Sequence, residues 1–101
     1  MLRAVPIGVA GIAALLTLTA PAANASPATD SAYLQALAAG GITFPSTDMA
    51  LAAGHEICYY LYQGSSPDDV ALYVYRGSAL NAYQSGWLTG AAAGAYCPEM
   101  L

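Results

Sequence analysis

His55 is the only histidine among 101 residues, and Tyr59 and Tyr62 follow it at helical spacing. On a helix, residues three and four apart are neighbours, so 55, 59 and 62 line one flank. An imidazole and a phenol one turn apart can offer two ligands to a haem iron or a metal ion. The simpler reading is a half-buried histidine at the edge of a core, bonded to a backbone carbonyl. Two ligands from one helix without a third make a weak metal site. Asp68-Asp69 is the one adjacent carboxylate pair. It follows Ser66-Pro67 at the start of a helix, where the dipole favours acids, and no positioned base or nucleophile accompanies it. Ser78 and Ser85 lack a Gly-x-Ser-x-Gly context. A Ser-His-Asp triad is formally open with a single histidine, but nothing supports it. No catalytic residue, cofactor or metal site is expected, and the chain is not expected to be an enzyme.

Cys58 and Cys97 are the two cysteines. Their meaning depends on compartment. The chain opens Met1-Leu2-Arg3, continues through an apolar run from Ile7 to Leu18 that Pro21 ends, and reaches Ala23-Asn24-Ala25. A positive start, an apolar middle and a small-x-small end describe a secretory signal cut after Ala25. The alternative is an uncleaved anchor, but Pro6 and two glycines interrupt a run short of the roughly 20 apolar residues a bilayer requires. No cysteine follows the cut, so no lipid anchor is expected. In an oxidising compartment the two cysteines are expected to pair. Free buried thiols and a metal pair are the competing readings, and the second lacks further ligands. Closing a loop of about 40 residues is worth roughly 4 kcal/mol in the chain-entropy model. For a small domain, whose apolar interior stabilises only weakly, that is a large share of the total.

Removal of residues 1–25 leaves 76 residues, expected to form a single domain. Arg76 is then the only Lys or Arg, set against Asp30, Asp48, Glu56, Asp68, Asp69 and Glu99. Phosphate polyanions are bound by displacing counterions with Lys and Arg. One arginine cannot do this, which excludes nucleic acid and disfavours anionic membrane surfaces. No stable membrane span is expected after signal cleavage.

The elements that would carry these residues are helical. Residues 26–29 read as a flexible lead, Asp30 as a cap, and Ser31–Ala39 as a helix with Tyr33, Leu34, Leu37 and Ala38 on its apolar side. Gly40-Gly41 ends it, and Ile42 and Phe44 follow as apolar plugs before Pro45. Ser46 or Thr47 caps a second helix reaching about Tyr62, with Asp48 in its first turn. Leu51, Gly54, Cys58 and Leu61 gather on its core side. Ser66-Pro67-Asp68-Asp69 starts a third, short helix to about Tyr75, carrying Val70, Tyr73 and Val74 on one side. Ala71–Tyr75 also passes as a short strand. Ser78 is read as the cap of a fourth helix from about Ala79 to Tyr96, with Leu80, Tyr83, Trp87 and Ala91 inward. An Ala-Gly loop from Thr89 onward is the alternative there. Gly86, Gly90 and Gly94 recur every four residues, each costing about 1 kcal/mol inside a helix. They suggest a close seam against Ala52, Ala53 and Gly54, extended by Cys97. The expected architecture is all-α, a small bundle of three to four short helices closed by one disulfide.

Asp30, Tyr33-Leu34, Leu37, Gly41-Ile42, Asp48, Gly54-His55, Cys58, Leu61, Gly64, Asp69-Val70 and Ala95-Tyr96-Cys97-Pro98 together give the chain a resemblance. In order and cysteine placement it resembles the domain of unknown function 732 family of small exported mycobacterial proteins. The resemblance covers nearly the whole segment after Ala25. It implies a helical exported domain with paired cysteines and implies no activity.

Eight tyrosines and one tryptophan remain to be explained. Some must fill the core. Tyr59, Tyr60 and Tyr75 point away from the apolar faces, either lying over the core edge or offering contact area to a protein or glycan partner. Two functions follow as expectations. One is a secreted or cell-envelope interaction module binding an unidentified protein or envelope component. The other is a carrier of a small apolar or haem-like ligand between helices, near His55, Tyr59 and Tyr62.

Overall fold

A computed structural model describes residues 26–101 of the chain. The segment read as a cleaved signal, residues 1–25, lies outside them. The described residues form four helices and no strand: α1 (Pro27–Ala39), α2 (Thr47–Tyr62), α3 (Pro67–Gly77) and α4 (Ala82–Tyr96), followed by a 3-10 turn at Pro98–Met100. The segment Ala71–Tyr75 is helical, and α4 continues unbroken through the Ala-Gly stretch.

Helix starts follow side-chain capping. Ser46 accepts from the Met49 N–H at 3.2 Å and Ser66 from the Asp69 N–H at 3.1 Å, each satisfying one of the amides that a helix start leaves unpaired. α1 begins four residues earlier than its sequence suggests. Ser26 is the cap, accepting from the Thr29 N–H at 3.1 Å, and Pro27 is the first helical residue. This is the same Ser-Pro start that opens α3, and it draws the supposed flexible lead into the helix. Asp30 is thereby moved into the first turn. α4 begins later than expected. Asn81 caps it in a reciprocal box with Gln84, while the Ser78 hydroxyl turns back and donates to the Val74 carbonyl at 2.7 Å, closing α3.

Helix ends use glycine. Gly41 (φ 71°) and Gly64 (φ 104°) adopt the left-handed conformation after α1 and α2. After α1, the Ile42 N–H reaches the Leu37 carbonyl at 2.9 Å and the Gly41 N–H reaches that of Ala38 at 3.0 Å. This Schellman pairing tucks Ile42 into the interior.

α4 is the centre of the bundle and lies against α1, α2 and α3. The core joins Tyr33 and Leu37 of α1, Ala50, Ile57, Cys58 and Leu61 of α2, Val70 of α3, and Leu88, Ala92 and Ala93 of α4. Two expectations for α4 are overturned. Its buried face is Ser85, Leu88, Thr89, Ala92 and Ala93, whereas Tyr83 is 69% and Trp87 36% exposed. A helix touched by three others needs small side chains inward. The buried hydroxyls of Ser85 and Thr89 are satisfied by the carbonyls four residues back, both at 2.9 Å. Nor do Gly86, Gly90 and Gly94 form a seam, because a Cβ at any of them would meet no other atom within 4 Å. Within the helices the close approach falls at Gly54. A Cβ there would lie 2.8 Å from Tyr33 Cζ and 2.9 Å from Tyr96 Cε2. Cys58 and Cys97 are bonded, with Cα atoms 5.9 Å apart, and tie the C-terminal half of α2 to the end of α4.

Candidate functional site

α2 presents His55, Tyr59 and Tyr62 to solvent as its periodicity requires, but each makes a different contact. His55 stacks on Tyr96, with ring centroids 4.2 Å apart and planes at 35°. The Tyr96 hydroxyl donates to Asp30 Oδ1 at 2.5 Å, and its ring leans on Tyr33 at 5.1 Å. Tyr33 is buried and donates to the Ala50 carbonyl at 2.7 Å. Burial pushes its phenol up to about 12. Burial, and after it the Asp30 carboxylate, raise that of Tyr96 further. This file of rings pins the start of α1 to α2 and the end of α4. Tyr59 packs edge-on against Tyr60 at 5.5 Å. Tyr62 donates to Glu99 of the final turn. That hydrogen bond raises the phenol's pKa and lowers the carboxylate's. The stripe therefore does not converge on one ligand point, and among the described residues no three His, Cys, Asp or Glu side chains group as a metal site would need. Ser85 is buried with its hydroxyl bonded to its own helix, and Asp68 and Asp69 sit exposed in the first turn of α3.

A concave site lies elsewhere, between α2, α3 and the connections 42–44 and 78–80. This groove encloses about 550 Å³, within the range of small-molecule sites. Ile42, Phe44, Ile57, Val74, Leu80 and Leu88 give it an apolar floor, and Glu56, Tyr60, Tyr73 and Arg76 stand among its remaining walls. The Tyr60 hydroxyl lies 3.4 Å from both Glu56 Oε2 and the Tyr73 hydroxyl, and the rings of Tyr60 and Tyr73 meet at 5.1 Å. The hydrogen bond with Tyr73, reinforced by Glu56, raises the Tyr60 phenol to about 12. The helical spacing of Ala53, Glu56, Ile57 and Tyr60 is the sequence signal that could have found one wall. The other walls come from other segments of the chain, Ile42–Phe44, Tyr73–Leu80 and Leu88.

The remaining aromatic surface is broad. Tyr59, Tyr62, Tyr73, Tyr75 and Tyr83 are exposed, as is Trp87. Tyr83 and Trp87 lie 5.9 Å apart on α4, beside Gly86, Gly90 and Ala91. The Trp87 indole N–H donates to the Ala36 carbonyl at 2.6 Å, which holds the ring against the end of α1 while part of it stays in solvent. Of the tyrosines expected to point outward, Tyr59 and Tyr75 do so, whereas Tyr60 is half-buried against the core.

Residues 29–99 match the family model described as "Protein of unknown function (DUF732)". Among curated proteins, the chain is similar to "Uncharacterized protein Mb1323c" of Mycobacterium bovis and "Uncharacterized protein MT1330" of Mycobacterium tuberculosis. Each is 37% identical over 73 residues, which is 72% of this chain and 66% of the relative. The matched region thus spans just under two thirds of those proteins. No solved structure matches.

Proposed function

The chain belongs to the DUF732 family, and from that premise we propose that residues 26–101 are a non-enzymatic interaction module working outside the cytoplasm, in the cell envelope or beyond it. Its partner is a protein or envelope component, gripped by the tyrosine-bearing surface. The observation that carries this reading is the exposure of large aromatics in a chain this small: Tyr59, Tyr62 and Tyr73 at 56–57%, Tyr83 at 69% and Trp87 at 36%. Tyr and Trp supply contact area at low entropy cost and are enriched in binding surfaces. Export is supported by the signal pattern ending at Ala25 and by a pair of cysteines placed to bond, since structural disulfides persist in oxidising compartments. No helix among the described residues is long and apolar enough to cross a membrane.

The test is site-specific photo-crosslinking in a mycobacterial host, with the photoreactive residue at position 59, 73 or 83 and a control at exposed Ser31. One adduct of constant mass from a subset of the aromatic positions, absent from the control, is the expected result. Indiscriminate adducts from all four positions would refute a specific partner surface.

The carrier reading has one observation in its favour, the apolar groove between α2 and α3. The His55 stripe does not supply that pocket, because Tyr96 covers one face of the imidazole.

A further inference from the structure

Residues 26–101 contain one Lys or Arg side chain, Arg76, among six side-chain carboxylates, and it lines the apolar groove between α2 and α3. From this placement we infer that the groove is a binding site for a single-chain amphiphile with an anionic head: the tail lies over Ile57, Val74, Leu80 and Leu88, and the head meets the Arg76 guanidinium. The inference rests on the carrier reading of this groove and does not need the macromolecular partner proposed above, whose surface shares only Tyr73 with it.

Three features set the class of ligand. The first is volume. At roughly 30 Å³ per water-sized group, about 550 Å³ accommodates about eighteen non-hydrogen atoms, enough for a medium-length acyl chain. The second is lining. The floor is aliphatic apart from Phe44, and it rewards burial of a tail at about 0.8 kcal/mol per methylene. The third is the distribution of charge. Glu56 is engaged by the Tyr60 hydroxyl, which also meets Tyr73. Arg76 lies three residues beyond Tyr73, about 4.5 Å of helix rise, and next to the wall formed by Gly77, Ser78 and Ala79. Arg76 is in the last turn of α3, where terminal carbonyls carry partial negative charge. Without the guanidinium that end of the groove would repel an anion. With it, the groove has a positive end and a carboxylate by the paired phenols.

The experiment uses the protein as an expressing cell processes it, disulfide intact, titrated below micellar concentration with dodecanoate or with dodecyltrimethylammonium and followed by NMR. Dodecanoate should give saturable shifts at Ile57, Val74, Leu80 and Leu88, and bind more tightly than the ammonium. Arg76→Gln, at an exposed position, should weaken dodecanoate about fivefold, and Glu56→Gln should not weaken it. Ala53→Trp, which fills the groove wall, should abolish the shifts while circular dichroism shows the helices retained. If Ala53→Trp unfolds the chain, Arg76→Gln still decides. Dodecanoate binding within twofold of wild type in Arg76→Gln, equal or tighter binding of the ammonium, shifts confined to Tyr83 and Trp87, or no saturable binding would each overturn the inference.

Discussion

Replacing glycine by alanine should have opposite effects at two positions of this fold. Inside a helix the exchange is worth up to about 1 kcal/mol in favour of alanine. At Gly94 nothing lies within 4 Å of the new Cβ, so the gain is kept, and Gly94→Ala should stabilise by about 0.5–1 kcal/mol. At Gly54 the same methyl would stand 2.8 Å from Tyr33 Cζ, 2.9 Å from its hydroxyl oxygen and 2.9 Å from Tyr96 Cε2. Neither ring can yield freely. Tyr33 is 1% exposed and anchored to the Ala50 carbonyl, and Tyr96 is held between His55 and Asp30. Overpacking a rigid site costs about 1–3 kcal/mol, and displacing Tyr33 would leave its buried hydroxyl without an acceptor, a further 1 kcal/mol or so. Offset by the helix-propensity gain, Gly54→Ala should destabilise by about 2 kcal/mol. In a domain of this size that lowers Tm by roughly 8–16 °C, while Gly94→Ala raises it by about 2–8 °C. Thermal unfolding of the disulfide-intact proteins, followed by circular dichroism, measures both. Equal shifts of the same sign would refute the placement of the tight junction at Gly54.

Cys58→Ser removes a cross-link closing 39 residues of sequence and should cost about 4 kcal/mol in the chain-entropy model, seen as a urea midpoint well below that of the oxidised wild type. Tyr62→Phe deletes the hydrogen bond that holds the Glu99 carboxyl below its ordinary pKa. A carboxylate with a depressed folded pKa contributes stability that is present above its unfolded pKa and lost as pH falls through the folded value. Glu99 should therefore titrate lower in the wild type than in Tyr62→Phe, where its pKa should rise toward the ordinary value, read from its side-chain carbon shift. Both groups are exposed, so the effect on melting should be small.

The parts of the fold legible in the sequence were those encoded by short-range chemistry. Ser66-Pro67-Asp68-Asp69 marks α3, Ser46 marks α2, and Gly41 and Gly64 mark the ends they terminate. The same chemistry at Ser26-Pro27 was outweighed by Asp30, a good cap residue whose carboxylate instead receives the Tyr96 hydroxyl from the far end of the chain. Hydrophobicity misassigned α4. Ranking Tyr83 and Trp87 as core residues ignores how little room a central helix has, and it was Ser85, Thr89, Ala92 and Ala93 that filled the space. Gly54 stood among small residues on α2, but its two aromatic neighbours come from α1 and α4. The groove was illegible for the same reason. Its walls are adjacent only after Ile42 and Phe44, the α2 face and the turn 77–80 are brought together. His55, Tyr59 and Tyr62 share a face as their spacing demands, yet spacing could not reveal that Tyr96 and Glu99 already engage two of them.

The account rests on an exported helical chain whose two cysteines are joined. The intact mass of the protein recovered from the envelope or medium of an expressing mycobacterium, taken before and after reduction, tests this most directly. The expected result is a mass beginning at Ser26 that gains two hydrogens on reduction. A mass retaining Met1–Ala25, or thiols already free in a folded exported protein, would contradict it.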